Sequence, residues 1–442
     1  MNDQRKDEVG RKFLMSGSLI EEECHELEVQ ELIFLIHSAK YFKENKAFIN
    51  DDFEERIPVF HRILLEKIKN SEELYIAYDK HTTYPFLDAN DRVWIFSKQE
   101  YAANAEDYFL QQLLMLEMRK IKKADIMKIL AELHTLGISK ILIDNGQYTV
   151  ELDRDDLLPP PDWSGTPEIN IPVTNPPLQQ ALIRFFQTLY AKNNDENRKQ
   201  LLHMLEDQML NQVIQARYLV PMQLKEEEPS VPNEQGLVTI KKGATIHFGV
   251  LSAEDGTSWL PAFTDWSEFE KAYDKTVWSS NIATYDDLVA LSENMNGIVI
   301  NCHGLPLRLD EKNKKMIEEY RKVRDSASEG AVTKETIEED TQVLLGEPKE
   351  YPHQMIDAVK EHMKKQKGIK KAYLRYMVKQ SGPSFLLIVD FEGNPEEVFG
   401  GIAGAANPYL NGMVLNMVEM DGWEHEVKDL TPFYKKKRFG LL

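Results

Sequence analysis

Seven of the residues in the stretch Leu157 to Pro177, LLPPPDWSGTPEINIPVTNPP, are prolines. Each lacks a backbone N–H and has φ fixed by its ring, so neither a helix nor a central strand runs through this stretch. The chain must therefore fold as separate pieces on either side of it. A second break, Arg324 to Glu350, is polar, acidic and free of aromatic residues. A lesser one, Lys225 to Gly236, is acidic with two prolines and reads as a long surface loop within a module. These breaks divide the 442 residues into modules over 1–165 and 175–325, an acidic linker over 326–346, and a last module over 347–442. Domains of roughly 100–200 residues accommodate that division.

The first two pieces share an order of features, which is the signature of an internal repeat. Each opens with apolar residues at helical spacing: Leu32, Leu35 and Ile36, then Ile57, Phe60, Leu64 and Ile68 in the first; Leu178, Leu182, Phe186 and Leu189, then Leu201 and Leu205 in the second. A strand follows in each, Leu74–Tyr78 against Ile246–Val250, then a turn and a second strand. The second strands end alike: Phe96-Ser97 and Phe263-Thr264 both place a hydroxyl where it can cap a helix, with an acid shortly beyond. Ala124–Leu152 and Tyr285–Leu309 then each read helix, glycine stop, buried strand, tight turn and exit strand. Gly137 and Gly297 are placed as left-handed residues just past a helix end, and Asp144-Asn145-Gly146 is a hairpin turn that Asn301 to Gly304 matches with one more residue.

The third piece has a different order. Ile356, Val359 and Met363 mark an amphipathic helix, Ala372–Val378 and Phe385–Phe391 two strands, and Asn394-Pro395-Glu396-Glu397 a helix start with cap, N1 proline and two acids facing the dipole. That helix ends before Asn407-Pro408, and a strand follows over Met413–Val418. The fold class expected is α+β: three consecutive small modules, each a sheet with helices on one face, the first two a divergent repeat.

The net charge of −20, from 53 basic and 73 acidic side chains, argues against nucleic acid and anionic lipid as partners, because both demand basic surface. It favours a monomeric or weakly associating state. Two distant cysteines, Cys24 and Cys302, suit a reducing, cytoplasmic compartment. The first residues, MNDQRKDEVGRK, form no signal peptide, and no apolar run approaches the roughly 20 residues of a membrane span.

Several of these residues together resemble the bacterial enhanced serine sensitivity family, SseB. The middle module is similar to that family's N-terminal domain in Leu219-Val220-Pro221, Leu260–Thr264 and Gly297–Asn301. The last is similar to its C-terminal domain in Glu347-Pro348, Ala372-Tyr373 and the closing Pro432–Lys435. The resemblance covers roughly residues 175–442. It implies that residues 1–165 are a degenerate extra copy, in which Trp94-Ile95-Phe96-Ser97 replaces the Leu-Pro-x-Phe-Thr strand and Asp144 stands for Asn301. The family is named for a phenotype in serine tolerance, and the resemblance implies no catalytic residues and no cofactor.

Residue patterns with possible chemistry have plainer alternatives. Cys302-His303 lacks a third orienting group, so a packed Cys and an exposed His are expected rather than a nucleophile and its base. Glu21 to Glu26 is a run of acids around Cys24 and His25 without metal-ligand spacing, expected to be a solvated segment. Gly400 to Gly404 falls well after its helix cap, so close packing of the helix on the sheet is expected and not phosphate binding. No P-loop, Gly-x-Ser-x-Gly or HExxH pattern occurs.

Phe263, Thr264, Asp265 and Trp266, with Trp278 and Trp259, form either an exposed aromatic patch suited to a protein interface or part of a core. Phe433 and Tyr434 precede the basic run Lys435–Arg438 and are expected to pack back on the last module; the basic run is either solvated or takes an acidic partner. The function expected is a non-catalytic binding or regulatory protein with a protein partner. The alternative is a small-molecule sensor, for serine or a related amino acid, with Asn301, Thr264 or Asp265 as polar contacts between modules. An enzyme of unrecognised type is the third reading.

Overall fold

The computed structural model describes residues 1–15, 19–45, 53–191, 198–225, 245–328, 344–348, 351–366, 368–379, 382–410, 413–428 and 430–436. The chain divides into two compact units. One holds Met1–Asp195, Ala216–Ala290 and Val299–Leu307; the other holds Glu196–Gln215, Leu291–Ile298 and Arg308–Leu442.

The first copy opens with α1 (Asp3–Leu14), α2 (Glu21–Cys24), α3 (Val29–Glu44) and α4 (Phe53–Lys69). Asn2 caps α1 by accepting from Arg5 N at 2.9 Å, and a Glu28/Glu31 capping box starts α3. Then come β1 (Glu73–Asp79), β2 (Arg92–Phe96), α5 (Gln99–Gln111), β3 (Leu116–Lys122), α6 (Lys123–Thr135), β4 (Lys140–Ile143), β5 (Val150–Asp153) and α7 (Arg154–Leu157). The sheet order is β3-β1-β2-β4-β5, antiparallel except for the β2/β4 pair.

Leu74 through Ala77 are all buried, which requires cover on both faces. Tyr75, Ala77, Trp94, Phe96 and Leu142 share one face with Ala102 and Ala105 of α5. The opposite face, Leu74, Ile76, Ile95, Ile141 and Ile143, is buried too, and α6 lies against β1 and β3. The sheet is thus sandwiched, where helices on one face were expected. Continuous apolar runs, not alternation, are the physical reason.

The second copy contains α8 (Pro176–Tyr190), α9 (Arg198–Gln215), β6 (Tyr218–Lys225), β7 (Thr245–Phe248), β8 (Leu251–Ser252), β9 (Ser258–Ala262), α10 (Trp266–Glu270), β10 (Ser279–Ala283), α11 (Tyr285–Leu291), β11 (Gly297–Ile300) and β12 (Leu307–Asp310). Its strands pair as β10-β6-β7 and β12-β11-β9-β8. Reciprocal bonds join the two sets: Leu219 N to Phe263 O at 2.8 Å and Phe263 N to Leu219 O at 3.0 Å. Read through that bridge, the order β10-β6-β9-β11-β12 matches β3-β1-β2-β4-β5 strand for strand. The counterpart of β1 is therefore β6 and not the expected Ile246–Val250, whose β7 pairs along β6 as an added hairpin arm. Gly137 ends α6 at φ +75°, as expected, but α11 stops at Leu291, and Gly297 opens β11 instead. The loop residues from 226 to 236 lie outside the described residues.

In the second unit, α9 lies against the C-terminal sheet. After α12 (Glu311–Ser328) come β13 (Leu344–Gly346), α13 (His353–Lys365), β14 (Ile369–Lys379), β15 (Gly382–Phe391), α14 (Pro395–Ala406), β16 (Val414–Glu419) and β17 (Tyr434–Lys435). Most of the expected acidic linker lies outside the described residues; α12 runs into its start, and β13 pairs with β14. The sheet order is β13-β14-β15-β16, with β16 parallel to β15 and β17 on β14. Ile356, Val359 and Met363 are buried, Asn394 caps α14 through Glu396 N at 3.0 Å, and Tyr434 and Phe433 join the core beside α13.

Candidate binding site

Asn301 and Asp144 occupy one position in the two copies. Both sit at φ +54°, a left-handed conformation that Asn and Asp tolerate better than bulkier residues. Both donate their backbone N–H at 2.9 Å to the strand beside them, to Ala262 O and to Ile95 O. Each side chain then bonds the hydroxyl residue just past the end of that strand. Asn301 Oδ1 accepts from Thr264 N at 3.0 Å, and its Nδ2 donates to Thr264 Oγ1 at 3.0 Å. Asp144 accepts from Ser97 N at 2.6 Å and from Ser97 Oγ at 2.7 Å.

A helix glutamine completes each cluster. Gln179 on α8 donates to Thr264 Oγ1 at 2.9 Å and Asp265 Oδ2 at 2.8 Å; Gln30 on α3 donates to Asp144 Oδ2 at 2.7 Å. Asp265 also caps α10, accepting from Glu268 N at 3.0 Å. Burial raises the Asp144 carboxyl against the hydrogen bonds from Ser97 and Gln30, which lower it. Neither glutamine stands out in the sequence, since a polar residue inside a helix ordinarily faces water.

Phe263, Thr264, Asp265 and Asn301 are consequently interior residues, buried to 3 % exposure or less. The aromatic surface is built from their neighbours. Phe263 and Phe269 form the base, and half-buried Trp266, Tyr273 and Trp278 lie over it. Ring centroids are 5.0 Å apart for Trp266 and Phe269 and 4.9 Å for Tyr273 and Trp278. Val277 beside them is 60 % exposed. An open depression of about 370 Å³, lined by Glu270 to Thr276, borders this face. Trp259 sits apart on β9, with its Nε1 donating to Thr257 Oγ1 at 2.9 Å.

The other candidates resolve as packing. Cys302 is half-buried, and burial, followed by the Glu268 carboxylate, pushes its thiol up, away from the thiolate a nucleophile needs. Cys24 is buried, while Glu21 pairs with Arg62 at 2.6 Å and Glu23 with Lys12 at 2.9 Å. Gly401 brings α14 close to a helix and not to the sheet: a Cβ there would lie 2.5 Å from His362 Nε2 of α13. Tyr434 donates to Met363 O at 3.1 Å and pairs with Ala372, so the closing aromatics are docked. Arg438 lies outside the described residues. Among those residues, no helix is long and apolar enough to cross a membrane.

Two family models match the chain: the SseB protein N-terminal domain over residues 188–311 and the SseB protein C-terminal domain over residues 337–436. This chain belongs to the SseB family. The N-terminal SseB match begins within α8 and ends just past β12, so it takes in every strand of the second copy. The SseB C-terminal match takes in β13 through β17. No curated protein and no solved structure matches the chain.

Proposed function

We propose that this SseB-family chain is a non-catalytic interaction protein whose second copy presents Trp266, Tyr273 and Trp278 to a protein partner. What supports this reading is the half-buried tryptophan pair on and after α10, beside exposed Val277 and over a rigid aromatic base. Large aromatics with one face anchored and the other available are the residues that carry interface energy. Amino-acid sensing is less favoured, because Asn301, Thr264 and Asp265 are interior residues whose polar atoms already bond one another and the Gln179 Nε2. The test is affinity capture of native partners on the wild-type chain, quantified by mass spectrometry, against Trp266→Ala and Trp278→Ala. A stoichiometric partner reduced about tenfold in either variant is expected. A partner retained equally by both variants would place the interface elsewhere.

A further inference from the structure

Tyr84 lies in the loop between β1 and β2 of the first copy, yet its hydroxyl donates a hydrogen bond to Glu268 Oε1 on α10 of the second. Tyr84 is 7 % exposed and Glu268 3 %. The Lys271 side chain, 39 % exposed, marks the solvent side. Its Nζ donates to the Tyr84 hydroxyl at 2.9 Å and to Glu268 Oε1 at 2.6 Å, and stands 5.0 Å from the Tyr84 ring centroid. Gly304 closes the other side. A methyl group there would overlap both Glu268 Oε2 and the Tyr84 hydroxyl. Gly304 does not adopt a left-handed φ, so space and not backbone conformation is what calls for glycine.

Two observations separate this arrangement from ordinary packing. Glu268 Oε2 is buried without a hydrogen-bond partner among the described residues, a costly state for a carboxylate oxygen and one that interiors rarely keep. The resident tyrosine therefore leaves one strong acceptor unused. The first copy also lacks the feature. Counting from the caps of α5 and α10, Tyr101 stands where the second copy has Glu268. Counting along the matched turns from Asp144 and Asn301, Gln147 stands where it has Gly304. The slot is not a demand of the repeated fold.

We propose that Glu268, Lys271 and Gly304 form a tyrosine-recognition slot, held closed in cis by Tyr84 and opened to a tyrosine-bearing peptide of a partner when the first copy's loop withdraws. A deep carboxylate accepts the phenol O–H, an ammonium stands over the ring at the mouth, and the glycine leaves room for the hydroxyl end. An incoming peptide that also offers an N–H to Glu268 Oε2 gains a bond that Tyr84 does not make, and that difference is what shifts the equilibrium toward the open state. The proposal rests on the interaction reading above for its partner, but its chemistry can be tested without one.

Tyr84→Gly empties the slot while leaving its walls. The full-length variant is titrated calorimetrically with p-cresol and with toluene. The expected result is p-cresol binding at least tenfold tighter than toluene and at least tenfold tighter than to wild type, with the preference lost in Tyr84→Gly/Glu268→Gln. Equal binding of p-cresol and toluene, or equal binding of p-cresol to wild type, would overturn the slot. Should Tyr84→Gly fail to melt cooperatively, Tyr84→Phe keeps the ring and removes only the hydroxyl. Faster amide exchange over the loop from Asp79 to Asp91 is then expected, and unchanged exchange would overturn the proposal. Selective p-cresol binding without any partner captured on the tryptophan face upholds the slot and sinks the interaction reading. Loss of p-cresol selectivity with tryptophan-dependent capture intact does the reverse.

Discussion

At the scale of single residues, the two copies solve one problem with different chemistry. A left-handed turn residue must satisfy the end of the neighbouring strand from inside the fold, and the second copy does it with neutral Asn301 while the first uses Asp144. Burial is the largest influence on Asp144 and raises its carboxyl above the ordinary 3.8. An acid whose folded pKa exceeds its unfolded one stabilises most below the unfolded value, and that contribution is lost as pH rises through the folded value. Asp144→Asn is therefore expected to gain stability relative to wild type as pH rises from about 4 toward neutrality, read as urea midpoints across that range. A difference that stays flat with pH would mean that Asp144 carries no buried-charge penalty. Asp144→Ala removes the acceptor altogether, leaves the Ser97 N–H and the Gln30 amide poorly paired, and should cost about 2 kcal/mol near pH 4, a cost that shrinks toward neutrality as the wild type takes on its buried charge. The match of Asp144 to Asn301 was legible in the sequence because both follow a buried strand. Gln30 and Gln179 were not, since their partners lie 114 and 85 to 86 residues away.

At the scale of elements, local chemistry was the best guide. Asn394-Pro395 started α14 as its cap and N1 proline require, and the strands of the last module fell where their apolar residues placed them. What local pattern did not convey was which of two adjacent apolar segments occupies the repeat's first strand position. Tyr218–Lys225 and Thr245–Phe248 are both strands, and pairing across the sheet, not composition, makes β6 the counterpart of β1. The glycines of α14 permit a sharp test of helix packing. Gly400 and Gly404 have open space where a Cβ would stand, whereas Gly401 faces the His362 ring. Alanine at Gly400 or Gly404 should raise stability by roughly 0.5–1 kcal/mol through helix propensity alone. Gly401→Ala should lower it despite the same propensity gain, and His362→Ala should restore the gain in the double variant. Equal melting temperatures for Gly400→Ala and Gly401→Ala would show that α13 and α14 are not in close contact at that point.

At the scale of the first unit, the two copies are joined by more than the tyrosine slot. Gln187 of α8, 8 % exposed, bonds the loop that carries Tyr84: its Oε1 accepts from Leu87 N at 3.1 Å, and its Nε2 donates to Pro85 O at 2.9 Å. Arg184, one turn earlier, donates to Asp88 O at 3.1 Å and pairs with Asp91. Gly137, at the end of α6, meets the backbone of Pro176 so closely that no side chain fits between them. The proline-rich stretch that marks separate pieces in the sequence thus ends in a helix that binds those pieces together, because α8 presents one polar edge to the first copy's loop. If these contacts make the copies one cooperative body, Gln187→Ala should do more than free the Leu87 amide. It should lower the protection of slow-exchanging amides in β2 and β9 by a common factor, on the order of tenfold for a loss of about 1.4 kcal/mol. Exchange that quickens only around Leu87 would instead mark the copies as independent folding units, and the withdrawal of the Tyr84 loop would then require no disturbance of either sheet.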